Sequence, residues 1–390
     1  MLYVGEALRT FAVGLVSVFE PIYLYLIFKQ YLFAVPAAWV LSYYAFVYIL
    51  YVPLALLAVR LIYRLSFRFA VSLSFFAIFL YYPALFLARS EGPIFLLPAL
   101  GLLLVHMTCF WPIYHIVFTR SSVDGHRGET FGRLLIVTML MGALGPAIGG
   151  FLLSWFGYSF LFVCVLVGLI FAFVPYLVVG DRETYHGFHD LASAVTHPRN
   201  RKGFLAFMGE GIESISFVIL WPLFLFLLAI GYKSLGLITM VSLLCSIVAT
   251  FIVSRISDHR GRRTLLAFGS PLVALSWILR TAAVSPLTAF VSHAFAGAVR
   301  PFAQVPFSVY FYDRVSKEKG KEQWSLIFFR EFALNTIGRG LLFSTGALFL
   351  ALGGDFRLLL LAAVPASLAL LSIISWARNG QEKIDLIKPA

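Results

Sequence analysis

The sequence predicts an all-α integral membrane protein: twelve transmembrane helices in two pseudo-symmetric six-helix bundles, with both termini cytoplasmic. Three observations predict it. Apolar runs follow one another almost without pause along 390 residues, of which 61% are hydrophobic, and mean hydropathy is +0.92. Only 12% of the residues are charged, about half the ~25% usual in soluble domains. The cations, finally, collect in alternate connections between the runs. Lipid cannot satisfy exposed backbone groups, so spanning runs of this length are expected to be helical.

Marked between charged or turn-rich breaks, the runs cover 4–28, 36–59, 69–88, 94–118, 131–155, 158–179, 204–230, 235–254, 265–284, 287–312, 325–352 and 356–377. The longest polar segment, Asp181 to Lys202, follows the sixth run. It divides the chain into an N-terminal bundle (1–180), a cytoplasmic central loop (181–202), a C-terminal bundle (203–379) and a cytoplasmic tail (380–390). Weak internal similarity supports the division. "EPIYLYLI" from Glu20 aligns with "WPLFLFLL" from Trp221, and "FWPIYHIVF" with "VRPFAQVPF", each pair sharing a proline. Parallel repeats of this kind are an organisation used by secondary transporters.

Orientation follows from charge. With the N-terminus inside, 21 of the Lys and Arg residues fall in the even-numbered connections and the tail, and only Lys29, Arg89, Lys233 and Arg357 in the odd-numbered ones. The positive-inside rule then places both termini in the cytoplasm. The same split accounts for the net charge of +12 without a nucleic-acid partner. The N-terminal "MLYVGEALRT" lacks a basic n-region and a small-residue cleavage site, so no removable signal is expected. Cys109, Cys164 and Cys245 lie far apart inside apolar runs, and neither a disulfide framework nor a thiolate metal site is expected.

Two motifs carry a resemblance. "SRISDHRGRR" (Ser254 to Arg263), between the eighth and ninth runs, resembles the G-x-L-x-D-R-x-G-R-R/K signature of the major facilitator superfamily. Asp258, Gly261, Arg262 and Arg263 match; Ser254, Ile256 and His259 depart from it. The corresponding loop of the first half, "VRLIYRLSFR", keeps only its cations, with Tyr63 and Ser66 at the aspartate and glycine positions. The resemblance implies a cytoplasmic latch in which Asp258 meets a helix end of the other half, where free N–H groups and the helix dipole stabilise a carboxylate. "GPAIGGFLLSWFGYSFLF" (Gly145 to Phe162) resembles the superfamily's fifth-helix pattern through Gly145, Pro146, Gly149 and Gly150. Gly142, Gly145 and Gly149 share one bare helix face, which permits close helix packing, and Pro146 permits a bend. "FFREFALNTIGRG" resembles the eleventh helix of some members and names no substrate. With the twelve runs, the likeness covers nearly the whole chain and implies alternating access about a central cavity.

Ionisable residues inside apolar runs are costly and face a bundle interior or a water path. The chain places Glu20, Glu210, Glu213, Arg300, Arg330, Glu331 and Arg339 there, with His106, His115 and His293. Arg300 and Arg339 are about thirteen and fourteen residues from the cytoplasmic ends of their runs, roughly 20 Å deep at ~1.5 Å per residue. Glu213 is within reach of either arginine if these helices line one cavity. Glu331, Asn335 and Arg339 recur at i, i+4 and i+8 as a polar stripe that cannot face lipid. Arg280, near the outer end of its run, is expected to snorkel to the surface.

Two readings of these charges compete. In one they only orient helices, with Glu210, Glu213 or Glu331 paired to Arg330 or Arg339. In the other a carboxylate takes and releases a proton, and a midplane arginine binds an anionic group of the substrate or controls that proton. His186 and His189 have H-x-x-H spacing without further ligands, and no Walker loop or strand-linked G-x-G-x-x-G occurs, so no metal or cofactor is expected.

The expected function is secondary transport of a small solute across the cytoplasmic membrane, coupled to protons, with efflux or antiport favoured. Proton-coupled uptake of an organic anion or zwitterion is the alternative, and a non-transporting receptor or scaffold a third. An enzyme is disfavoured because no catalytic constellation appears. The expected partners are a small-molecule substrate, protons and the lipid bilayer.

Overall fold

A computed structural model describes residues 2–61, 67–121, 128–177, 195–256, 261–318 and 320–385, and every regular element among them is helical. Nine helical segments among the described residues are long and apolar enough to cross a membrane, from Val4–Gln30 to Phe356–Arg378. The helices around residues 286–317 and 321–351 fall outside that set. Their polar and charged residues, Arg300 and the Glu331–Arg339 stripe among them, dilute their apolarity.

The N-terminal group comprises α1 (Leu2–Ser17), α2 (Glu20–Gln30), α3 (Pro36–Leu61), α4 (Phe67–Ser90), α5 (Leu96–Ser121) and α6 (Gly128–Leu177). The first expected run is thus two helices. The break at Val18–Phe19 precedes Pro21, which has no N–H to donate, and it turns Glu20 into the interior at the start of α2. The fifth and sixth expected runs are the two helical limbs of α6, which meet at Gly157 with φ 76° and ψ −178°. A side chain is disfavoured in that conformation. The chain reverses there. Its first limb runs beside α1 from Gly142 against Thr10 to Gly150 against Phe19; its second returns from Tyr158 on the Phe19 carbonyl to Tyr176 against Gly5.

The C-terminal group comprises α7 (Arg201–Ile215), α8 (Trp221–Leu227), α9 (Tyr232–Ile256), α10 (Arg262–Thr281) and α11 (Pro286–Lys317), then α12 (Lys321–Glu331), α13 (Gly340–Ala351), α14 (Phe356–Leu360), α15 (Ala363–Ala369) and α16 (Ser372–Asp385). Two π-helical turns join collinear pieces: Ser216–Leu220 links α7 to α8, and Phe332–Arg339 links α12 to α13. Such turns widen the helix by one residue, leave carbonyls loosely paired, and occur frequently at functional sites. α11 starts on a capping box between Ser285 and Thr288.

The two groups meet along two seams. In one, α6 lies on α9 so closely that a Cβ on Gly236 would sit 2.3 Å from the Pro146 carbonyl. In the other, α3 lies on α13, with the rings of Tyr44 and Tyr48 stacked on Phe343 at 5.7 and 5.8 Å. At the end carrying the α2–α3 and α8–α9 turns, the groups also touch through aromatic rings, with Tyr25 on Phe226 and Tyr158 on Tyr232.

Candidate functional site

The interior of the C-terminal group is built on α7. Glu213, 2% exposed, receives Arg300 of α11 side-on: Nε lies 3.1 and 3.2 Å from the two carboxylate oxygens and Nη2 lies 3.0 Å from Oε2. One turn beyond Arg300, Gln304 accepts from Nη2 at 2.7 Å when its amide oxygen faces the guanidinium. The Arg300 guanidinium also lies 4.3 Å from the ring of Phe217, within the π-turn that follows Glu213. Of the two arginines within expected reach of Glu213, the structure brings Arg300 to it. Arg339 turns elsewhere.

A second chain of polar groups starts three residues earlier on α7. Glu210 receives Arg330 Nη2 at 2.8 Å, and Arg330 Nη1 reaches Glu331 at 3.0 Å. Asn335 donates to Glu331 Oε2 at 2.8 Å and accepts from Arg339 Nη1 at 2.9 Å. Arg339 Nη2 then donates to Ser214 Oγ at 3.1 Å, back on α7 beside Glu213. Charges alternate along this chain and sum to zero, which suits burial. The stripe Glu331–Asn335–Arg339 is therefore internally bonded across the second π-turn.

The N-terminal group contributes tyrosines. Glu20 accepts from Tyr44 at 3.0 Å and from Tyr81 at 2.9 Å. Tyr48 lies under the Arg339 guanidinium at 5.2 Å, and Tyr51 donates to Glu331 at 3.0 Å. Tyr44, Tyr48 and Tyr51 recur at i, i+4 and i+7 on α3, so one helix face touches the carboxylate of its own group and the charged stripe of the other. These tyrosines are not among the residues expected from the sequence. Their helical spacing inside an apolar run was the available signal, because a hydroxyl at that depth needs a partner.

Arg280 requires correction. It does not snorkel: it is 1% exposed, enclosed by Trp277 at 4.2 Å, Phe217 at 4.9 Å and Trp221 at 5.4 Å. α14 and α15 pack on α10, and nearness to the helix end is not nearness to the surface. His293 is also buried, against Phe217 and Trp221. His106 is buried on Ser74, their side chains 2.8 Å apart. The side chain of His115, and His186 and His189 altogether, lie outside the described residues.

Of the expected latch, Asp258 lies outside the described residues. Gly261 caps the start of α10, Arg263 is exposed, and Arg262 pairs with Asp313 near the end of α11. That pair ties two neighbouring helix ends of the same group. The fifth-helix glycines sit in close packing: Cβ atoms on Gly145 and Gly149 would meet the α1 backbone at 2.7 and 1.9 Å, and one on Gly150 would meet the Tyr232 carbonyl at 2.6 Å.

Among known proteins, a family model described as the Major Facilitator Superfamily matches residues 2–338. The chain belongs to this superfamily. The superfamily consists of transporters and not enzymes. The crystal structure of a D-xylose–proton symporter superposes on the chain with TM-score 0.65 at 13% identity, covering 95% of each chain. At that identity the likeness is one of fold. No curated protein sequence matches the chain. As a superfamily member it is a multi-pass membrane protein.

Proposed function

We propose that this protein is a proton-coupled secondary transporter of a small solute bearing an anionic group. It works by alternating access in the cytoplasmic membrane, through twelve spans in two six-helix bundles (1–180 and 203–379) with both termini inside. The loop 181–202 joins the bundles, and the Asp258–Arg263 loop acts as the cytoplasmic latch. The observation that carries the reading is the buried pair Glu213–Arg300.

An anionic group that takes Arg300 would leave Glu213 a buried carboxylate without its cation. Such a charge is strongly unfavourable, and one proton restores neutrality. Solute and proton then occupy the site together, which is symport. In antiport the solute would instead expel the proton, and a carboxylate already held by an arginine serves that poorly. The efflux expectation rests on the fifth-helix Gly-Pro-x-x-Gly-Gly segment and on the aromatic-rich spans; close packing against α1 and α9 accounts for the former. Glu20 is the second proton-handling candidate: it is partly exposed, and tyrosine hydroxyls are its described partners.

The test uses the full chain in vesicles loaded with a pH-sensitive dye and a panel of organic acids, with D-xylose as the neutral comparison. The reading expects at least one acid to move protons with it and D-xylose to move none. It also expects Glu213→Gln to abolish the solute-dependent proton flow. Proton flow with an acid that survives both Glu213→Gln and Arg300→Ala removes the site assignment.

A further inference from the structure

Around Arg280 the C-terminal group buries hydrogen-bond donors without acceptors. Nε, Nη1 and Nη2 of Arg280 and Nε1 of both Trp221 and Trp277 are enclosed, and among the described residues none has a hydrogen-bond partner. These groups can only donate, and buried donors left unpaired are strongly unfavourable. Within the same wall, His293 Nδ1 is also unpartnered. What the cluster lacks is acceptor oxygen.

Charge points the same way. Phe217 carries both guanidiniums on its ring, Arg280 at 4.9 Å and Arg300 at 4.3 Å, while His293 packs on it at 4.9 Å. Glu213 is the carboxylate described here, and Arg300 already holds it. Two guanidiniums and one carboxylate leave a net charge of +1 inside apolar surroundings.

We propose that Arg280 and Arg300 together receive the carboxylate of a monoanionic substrate, with the indole N–H groups of Trp221 and Trp277 as further donors. The aromatic walls Phe217, Trp221 and Trp277 receive its apolar body. This deepens the transport reading above and rests on it. A planar carboxylate matches the guanidinium fork. Entry has a structural route, because Phe217 lies in the π-turn Ser216–Leu220 and Trp221 directly follows it. Moving that one-residue bulge along the helix turns the residues it passes by about 100° and swings these rings away from Arg280.

Binding to the solubilised full chain, read from tryptophan fluorescence, tests the proposal with benzoate against benzamide at matched ionic strength. Benzoate should bind saturably and benzamide should not. Arg280→Gln should weaken benzoate at least tenfold, as expected for loss of about one charge-assisted bidentate contact. Trp277→Phe keeps a ring and removes an N–H, so it should weaken benzoate about threefold and serves if Arg280→Gln does not fold. Equal binding of benzoate and benzamide, or no saturable benzoate binding, overturns the carboxylate class. Benzoate binding unchanged by Arg280→Gln, or by Trp277→Phe when the former does not fold, overturns the Arg280 assignment. Solute-driven proton flow in the vesicle panel is a separate readout, so the transport reading stands or falls independently of these results.

Discussion

Tyr51 donates its hydroxyl to Glu331 across the seam between the two helix groups, at 3.0 Å and between residues far apart in the chain. The bond exists only while α3 and α12 are adjacent. It therefore contributes to the stability of this arrangement and must break in any motion that opens the seam there. Hydrogen bonds to charged groups contribute roughly 1.5–3 kcal/mol, so Tyr51→Phe should lower the thermal unfolding temperature measurably. A double-mutant cycle with Glu331→Gln isolates the pair. Additive losses from the two single changes would show that the bond contributes nothing of its own.

The Glu213–Arg300 pair should respond asymmetrically. Arg300→Ala leaves a buried carboxylate unpaired, a change worth about 3–5 kcal/mol, whereas Glu213→Gln with Arg300→Gln removes both charges together. The double variant should therefore recover much of the stability that Arg300→Ala loses, while solute-driven proton flow stays absent in both. Thermal unfolding beside vesicle flux separates the two effects. Proton flow restored in the neutral double variant would rule the pair out as the coupling centre.

Much of this site was legible because charge is conspicuous in an apolar run. Glu213, Arg300 and the Glu331–Asn335–Arg339 stripe stand out by residue type and depth alone. The tyrosines of α3 do not, since Tyr blends into an aromatic-rich membrane helix until its hydroxyl is seen on Glu20 or Glu331. The burial of Arg280 is not legible, because position along a helix measures distance to the helix end, and helices α14 and α15, which pack on α10, are remote in sequence. The π-turns had no signature at all. The reversal at Gly157 was legible as glycine punctuation between two apolar runs, whereas the break before Pro21 was not, since the run 4–28 reads as one continuous apolar stretch.

Close packing by the fifth-helix glycines yields a graded prediction. On Gly149 a Cβ would lie 1.9 Å from the Leu15 carbonyl, and on Gly101 nothing lies within 4 Å. Gly149→Ala should thus destabilise by about 3 kcal/mol or more, as overpacking against backbone does. Gly101→Ala, in mid-helix, should stabilise by roughly 0.5–1 kcal/mol through helix propensity. Unfolding temperatures of the two purified variants against wild type settle it. Equal shifts in one direction would contradict the packing account.

Glu20 allows coupling to be separated from binding. Its carboxylate accepts from Tyr44 and Tyr81, and a glutamine amide oxygen can accept from the same hydroxyls. Glu20→Gln should therefore fold with little loss of stability, while the position can no longer carry a proton. Solute exchange at equal concentrations on both sides needs no net proton movement, so it should persist in this variant. Uphill accumulation driven by a pH gradient should fall to the passive level. Measuring both in the same vesicles makes the comparison internal. If exchange is lost with accumulation, Glu20 contacts the solute; if neither changes, the tyrosine-bonded carboxylate is a structural element of the α2–α3–α4 packing and proton handling rests with Glu213.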